Sequence, residues 1–163
     1  MDKFREYLLA IVSQDPLVIR GAPEELQGDT EVVLKAVKQN GRALQYASKD
    51  IQADREVVLQ AVMQDGIALR FAAHALRGDR EVVLTAVSQN GEALFWAPDF
   101  QADKDVVLKA VSQNGRALLY ASGWLRDDYD VVMRAVTQDW NAASSASERL
   151  LQERGIMMRA VRQ

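Results

Sequence analysis

The stretch Glu31-Val32-Val33-Leu34-Lys35-Ala36-Val37-Lys38-Gln39-Asn40-Gly41, continued by Arg42-Ala43-Leu44-Gln45-Tyr46-Ala47-Ser48, recurs along the chain with few changes. Aligned on the acidic residue that opens it, copies start near Glu6, Glu31, Glu56, Glu81, Asp105 and Asp130, with a partial copy from Gly155. The spacing is 25 residues, except for 24 between Glu81 and Asp105, where no residue after Pro98 matches Lys49. A fixed period of this size marks a solenoid, in which each unit leaves apolar surface that only its neighbours cover. The 163 residues are therefore expected to form a single repeat domain over 1–163, closed by a helix at 155–163.

Within a unit the first segment reads as a helix. Val33, Leu34 and Val37 share one face and Val32 and Ala36 an adjoining one, at helical rather than alternating spacing. Asp29, Asp54, Asp79, Asp103 and Asp128 each precede such a segment as N-cap candidates, with an acidic residue two positions later at the positive helix end. Asn40-Gly41, Asp65-Gly66, Asn90-Gly91 and Asn114-Gly115 mark turns where glycine permits positive φ and Asn or Asp caps the next segment. A second, two-turn helix then carries alanines four apart, Ala43 and Ala47 in the first full copy, and must draw its stability from neighbours. The loop after it supplies one apolar anchor per unit: Leu26, Ile51, Leu76, Phe100, Leu125 and Leu150. The first and sixth units, with Pro16 and Trp140 in place of the turn glycine, read as capping units. The expected architecture is an all-α, right-handed α-solenoid of short helix-turn-helix repeats.

The consensus of the copies, Asp-x-Glu-Val-Val-Leu-x-Ala-Val-x-Gln-Asn-Gly-x-Ala-Leu-x-Tyr-Ala-Ser, resembles a tandem helical-repeat family described as a domain of unknown function. The resemblance covers nearly the whole chain and is closest from Asp29 to Asp128. In that family the repeats look like building blocks of larger proteins from protists and from bacteria that live inside other cells. The resemblance implies a helical scaffold and carries no catalytic residues over to this chain.

Composition narrows the function classes. Twenty basic residues against 23 acidic ones give a net charge of -3, so no broad basic field is present to hold a phosphate backbone. There is no cysteine for a disulfide or thiolate metal site. Met1 to Gln14 lack a signal-peptide layout, and no apolar run reaches membrane-spanning length. A cytoplasmic protein without membrane association is the expectation; delivery into a host cell is not readable from these residues. His74 is the sole histidine, so a Ser-His-Asp triad would have to use it, yet no partner spacing supports one; it reads as an exposed loop residue. The row of Asp caps recurs once per unit and does not gather the six or more oxygens that calcium needs. No catalytic residue, metal ligand or cofactor is expected.

Two ladders recur. Gln39, Gln64, Gln89 and Gln113 hold one position and are expected to bond loop amides or carbonyls of a neighbouring unit. Tyr46, Phe71, Trp96 and Tyr120 hold another and are expected to pack against the next unit. Positions that vary between copies should face solvent, and among them Phe95 and Leu119 are apolar where other units place Gln45 and Arg70, while Trp124 replaces Asp50 and Asp99. These three form a candidate partner-binding patch. The sequence thus points to non-catalytic protein-protein interaction, with a protein partner or a second copy of the chain as the target. The alternatives are single-stranded nucleic-acid binding through the aromatic ladder, disfavoured by the missing cationic track, and a structural or designed scaffold with no specific ligand.

Overall fold

The computed structural model describes residues 2–152, so the expected closing helix at 155–163 lies outside the described residues. No strand occurs among them; the fold is an all-α tandem-repeat solenoid. The chain divides into two compact units between Ala86 and Val87.

Each repeat has three helical pieces rather than two. A ten-residue α-helix such as Thr30–Gln39 leads into a six-residue 3-10 helix, Gly41–Tyr46, and then a four-residue helical turn, Lys49–Gln52. The first unit repeats this pattern in Arg55–Gln64, Gly66–Phe71 and His74–Arg77, after Asp2–Ile11, Pro16–Gly21 and Glu24–Gln27. In the second unit Gly91–Trp96 precedes Lys104–Gln113, Gly115–Tyr120, Tyr129–Gln138 and Trp140–Ser145. There the missing residue after Pro98 shortens the connecting turn to the three-residue 3-10 helix Pro98–Phe100. The expected loop is thus ordered, and His74 is an exposed residue opening a helical turn.

Capping agrees closely with the sequence. Asp29 Oδ1 accepts from the amides of Glu31 (3.0 Å) and Val32 (3.1 Å), and Asp103 Oδ1 from Asp105 (3.0 Å) and Val106 (3.1 Å). Asn40, Asp65, Asn90, Asn114 and Asp139 each accept from the amide two residues on, which starts the 3-10 helix. The tighter helix explains the inward row: at three residues per turn Gly41, Leu44 and Ala47 stack on one side, and all three are buried. On the long helix the buried stripe is Val32, Val33, Ala36 and Val37, each fully covered. Leu34, expected in that stripe, is half-buried, because it lies one helical step beyond the stripe's edge. Among the anchors Leu26, Ile51, Leu125 and Leu150 are buried, whereas Leu76 and Phe100 are half-buried, the latter on the shortened turn.

The turn glycines act differently from expectation. None of the described glycines has positive φ. What glycine provides is room: a Cβ on Gly115 would meet the carbonyl oxygen of Ala135 at 2.5 Å, and one on Gly41 or Gly91 would press still closer on Ala61 or Ala110. Each glycine therefore sits where one repeat's turn touches the long helix of the next. The glutamine ladder closes the same contact. Gly41 and Gly91 donate their N–H to Gln64 and Gln113 Oε1, both at 2.6 Å, and Gly115 donates to Gln138 Oε1. Gln138 Nε2 donates in turn to the Gln113 carbonyl (3.3 Å), so both ends of one side-chain amide are used. Backbone bonds add to the joint, from the Ser48 amide to the Gln27 carbonyl (2.9 Å) and from Ser122 to Gln101 (2.7 Å).

Ion pairs also link successive repeats. Arg5 donates to Asp29 (2.6 Å) and Glu31 (2.5 Å), Arg55 to Asp79 (2.9 Å) and Glu81, and Lys104 to Asp128 (2.7 Å). The guanidinium of Arg5 holds the Asp29 carboxyl below the usual carboxylate range, and that of Arg55 does the same for Asp79. At the turns, Arg42 pairs with Asp65 (2.7 Å) and Arg116 with Asp139 (3.0 Å), whereas Asn114 Nδ2 donates to Glu92 (3.3 Å). The Asp or Asn of a turn therefore matches the charge carried by the preceding repeat.

Gly115→Ala is expected to cost about 1–3 kcal/mol by forcing the joint apart. Gly123→Ala, whose Cβ would meet nothing within 4 Å, should leave the urea midpoint in place; equal midpoints for the two variants contradict the packing role. A second expectation concerns pH. Because the Asp79 carboxyl is depressed in the folded state, the Arg55 pair stabilises fully above the ordinary carboxylate pKa of about 3.9 and loses its effect as pH falls below it. Urea unfolding of Arg55→Gln should therefore show a small deficit at pH 7 that vanishes near the acid end of the curve; a deficit that persists there would require a different role for Arg55.

Candidate functional site

On each six-residue 3-10 helix the fifth residue is exposed; in Gly41–Tyr46 the third and fourth, Ala43 and Leu44, are buried and Arg42 and Gln45 are the exposed pair. The fifth position carries Gln45 and Arg70 in the first unit. In the second unit it carries Phe95, Leu119 and Ser144. Phe95 is 50% exposed and Leu119 58%, so neither is repacked into the core.

Phe95 does not stand alone. Its ring meets Trp96 edge-on at 4.8 Å between centroids and Tyr120 at 5.3 Å, geometries that aromatic quadrupoles favour. Trp96 and Tyr120 are half-buried, as are Tyr46 and Phe71 in the first unit, so the ladder expected in the core lies at its rim. The reason is the 3-10 geometry: the sixth residue eclipses the third, and the ring leans over that buried alanine toward solvent. In the second unit this rim and Phe95 merge into one aromatic ridge. Beside it Leu119 lines a cleft of about 290 Å³ with Arg116, Asn141, Ala142, Ser144 and Ser145.

Trp124 lies in the turn after Tyr120 and is 56% exposed; no ring contact joins it to Phe95 among the described residues. The glutamine ladder is placed at the joints between repeats: Gln64 and Gln113 accept from turn glycines, as expected, and Gln89 is exposed at the end of Arg80–Gln89. Gln39 is exposed opposite the first repeat, whose Pro16 has no N–H to donate. Sequence comparison missed the exposed rings of Tyr129 (48%) and Trp140 (50%), whereas Met63 (60%) stands at a variable position expected to face solvent. Tyr129 was legible, since it stands where Arg55 and Lys104 bind the next Asp cap.

No three His, Asp or Glu side chains gather to hold a metal ion among the described residues. Each Asp cap is committed to backbone amides instead. No helix among the described residues is long and apolar enough to cross a membrane. In the second unit the arrangement offers an aromatic surface for non-covalent contact.

Comparison with known proteins agrees with the repeat reading. Neither the curated proteins nor the solved structures gave a match. A family model described as Domain of unknown function matches three successive stretches, residues 5–52, 54–101 and 103–151. Each match takes in two of the 25-residue repeats, and together they cover most of the sequence. On that tandem match the chain belongs to the family Domain of unknown function (DUF4116).

Proposed function

We propose that this protein is a non-catalytic recognition scaffold acting in the cytoplasm, and that its second unit bears the contact surface, formed by Phe95, Leu119, the ladder rings Trp96 and Tyr120, and Trp124 on the next turn. The observation that carries this reading is the exposure of Phe95 and Leu119 at an outward position filled by Gln45 and Arg70 in the first unit. Burying a Phe or Leu side chain in a partner is worth about 1.5–3 kcal/mol each, and leaving both in water forgoes it. Aromatic rings held by edge contacts lose little freedom on binding, which suits them to the centre of an interface. The target is a protein with an apolar pocket, or a second copy of this chain. The scaffold works without turnover and without a cofactor.

The test compares the protein with a Phe95→Ser, Leu119→Ser double variant as baits for affinity capture, alongside light scattering of each alone. Both positions are half exposed and outside the core, so the variant should stay folded and lose only about 1–3 kcal/mol with the ring contacts of Phe95. A partner retained by the parent and lost from the folded variant is the expected result, or a dimer that becomes monomeric. Identical capture and identical mass for both proteins would remove the ridge as the contact surface.

A further inference from the structure

The first unit contains a cleft with a different chemistry. It has a volume of about 470 Å³ and lies along two successive repeats, with Gln45 and Lys49 from one and Arg70, Phe71, His74 and Arg77 from the next. Three permanent cations and the chain's only histidine line it, and no Asp or Glu does.

In this unit Arg5, Arg42 and Arg55 meet carboxylates, whereas Lys35 Nζ donates to the Leu9 carbonyl (2.8 Å). Lys49 and Arg77 have no carboxylate partner among the described residues. Lys49 Nζ donates to the neutral Gln52 Oε1 at 3.0 Å, and Arg77 Nε is buried without a hydrogen-bond partner. Arg77 is informative because of what its position does in the preceding repeats. There Gln27 Nε2 donates to the Ile19 and Ala22 carbonyls at 3.3 and 3.1 Å, and Gln52 Nε2 to Leu44 and Gln45 at 3.1 and 3.4 Å. An amide at this place ties the 3-10 helix to the turn after it. Arginine leaves Nε unsatisfied there, as Arg126 does at the same place in the second unit, and Arg77 sets its guanidinium along the cleft. At Arg77 that guanidinium adds positive charge to a concave surface.

We propose that this cleft binds a phosphate monoester carried on a flat aromatic group. A phosphate dianion has three terminal oxygens that accept from ammonium, guanidinium and imidazole donors at once, and a guanidinium grips two of them in parallel. A carboxylate offers two oxygens and one charge. Phe71, with the Arg70 guanidinium 4.9 Å from its ring centre, supplies an aromatic wall beside the cations. The volume lies within the range of about 300–1,000 Å³ usual for small-molecule sites. This site is separate in chemistry and residues from the aromatic ridge, and its test does not depend on that surface.

The experiment titrates the whole chain with phenyl phosphate, inorganic phosphate and benzoate, tracking the His74 ring protons by NMR; as the only histidine it needs no assignment. Saturable shifts with phenyl phosphate are expected, with inorganic phosphate and benzoate each about tenfold weaker for want of the ring or of the second charge. Lys49→Gln and Arg77→Gln should each weaken phenyl phosphate about tenfold. Arg77→Gln installs the residue found at this place in neighbouring repeats, so its melting temperature should match or exceed the parent's, and loss of binding cannot be ascribed to unfolding. No saturable shift at millimolar phenyl phosphate, benzoate binding as tightly as phenyl phosphate, or unchanged binding by the folded Arg77→Gln protein would each overturn the assignment.

Discussion

Successive repeats in this protein meet at a point too narrow for a methyl group. A Cβ on Gly115 would stand 2.5 Å from the Ala135 carbonyl oxygen, and Gly41 and Gly91 are tighter against Ala61 and Ala110. Two backbones pressed this close must satisfy each other's polar groups, since water is excluded from the contact. The next repeat's glutamine does so, by accepting the glycine N–H. The alanine on the long helix reflects the same constraint, because a larger side chain beside that carbonyl would hold the turn away. Glycine, alanine and glutamine are therefore one unit of interaction divided between two repeats. Where Pro16 replaces the glycine, the first repeat loses both the room and the N–H.

Much of this was legible in the sequence, and the failures share a cause. Period, long helices, Asp caps and turn positions are local properties, written within a few residues of where they act. The glutamine ladder was also readable, because its invariance across copies demanded a partner. The role of glycine was misread: an Asn-Gly pair signals positive φ by local rules, whereas here the requirement comes from Ala135 or its equivalents some twenty residues away. The matching of Arg42 with Asp65, Arg116 with Asp139 and Glu92 with Asn114 was hidden for the same reason, as it couples one repeat's helix to the next repeat's cap. Alanines four apart suggested an α-helix where the chain forms a 3-10 helix, and that change of pitch carries the aromatic ladder from the core to its rim. Of the candidate site, Phe95, Leu119 and Trp124 were found by their departure from the copies. The cationic cleft was not, because its basic residues come from three different positions of the repeat, one of them used in two successive copies as Lys49 and His74.

The repeat also dictates where function can be written. In the 3-10 helix Gly41 is fixed by the joint, Ala43 and Leu44 by the core, and Tyr46 by the rim. Arg42 is tied to Asp65 of the next turn. The row of Gln45 changes most in chemical character, through Gln45 and Arg70 to Phe95, Leu119 and Ser144, because its outward side chains enter neither the joint nor the core. The turn after the 3-10 helix has similar latitude at Lys49 and Asp50, which become His74 and Ala75, then Gly123 and Trp124.

Those few variable positions account for the contrast between the two units. In the first, the row and the turn contribute Arg70, Lys49 and His74 to one concave surface; in the second, the same row and turn contribute Phe95, Leu119 and Trp124. Neither change disturbs the joint, since none of these side chains enters the glycine contact. At the position of Arg77, Gln27, Gln52 and Gln101 place an amide that bonds the preceding 3-10 helix; Arg77 and Arg126 both depart from it, and each leaves a buried Nε without a hydrogen-bond partner. The repeat therefore tolerates arginine at this place in either unit at the same structural cost, and what distinguishes Arg77 is its setting, with Lys49, Arg70 and His74 along one concave surface.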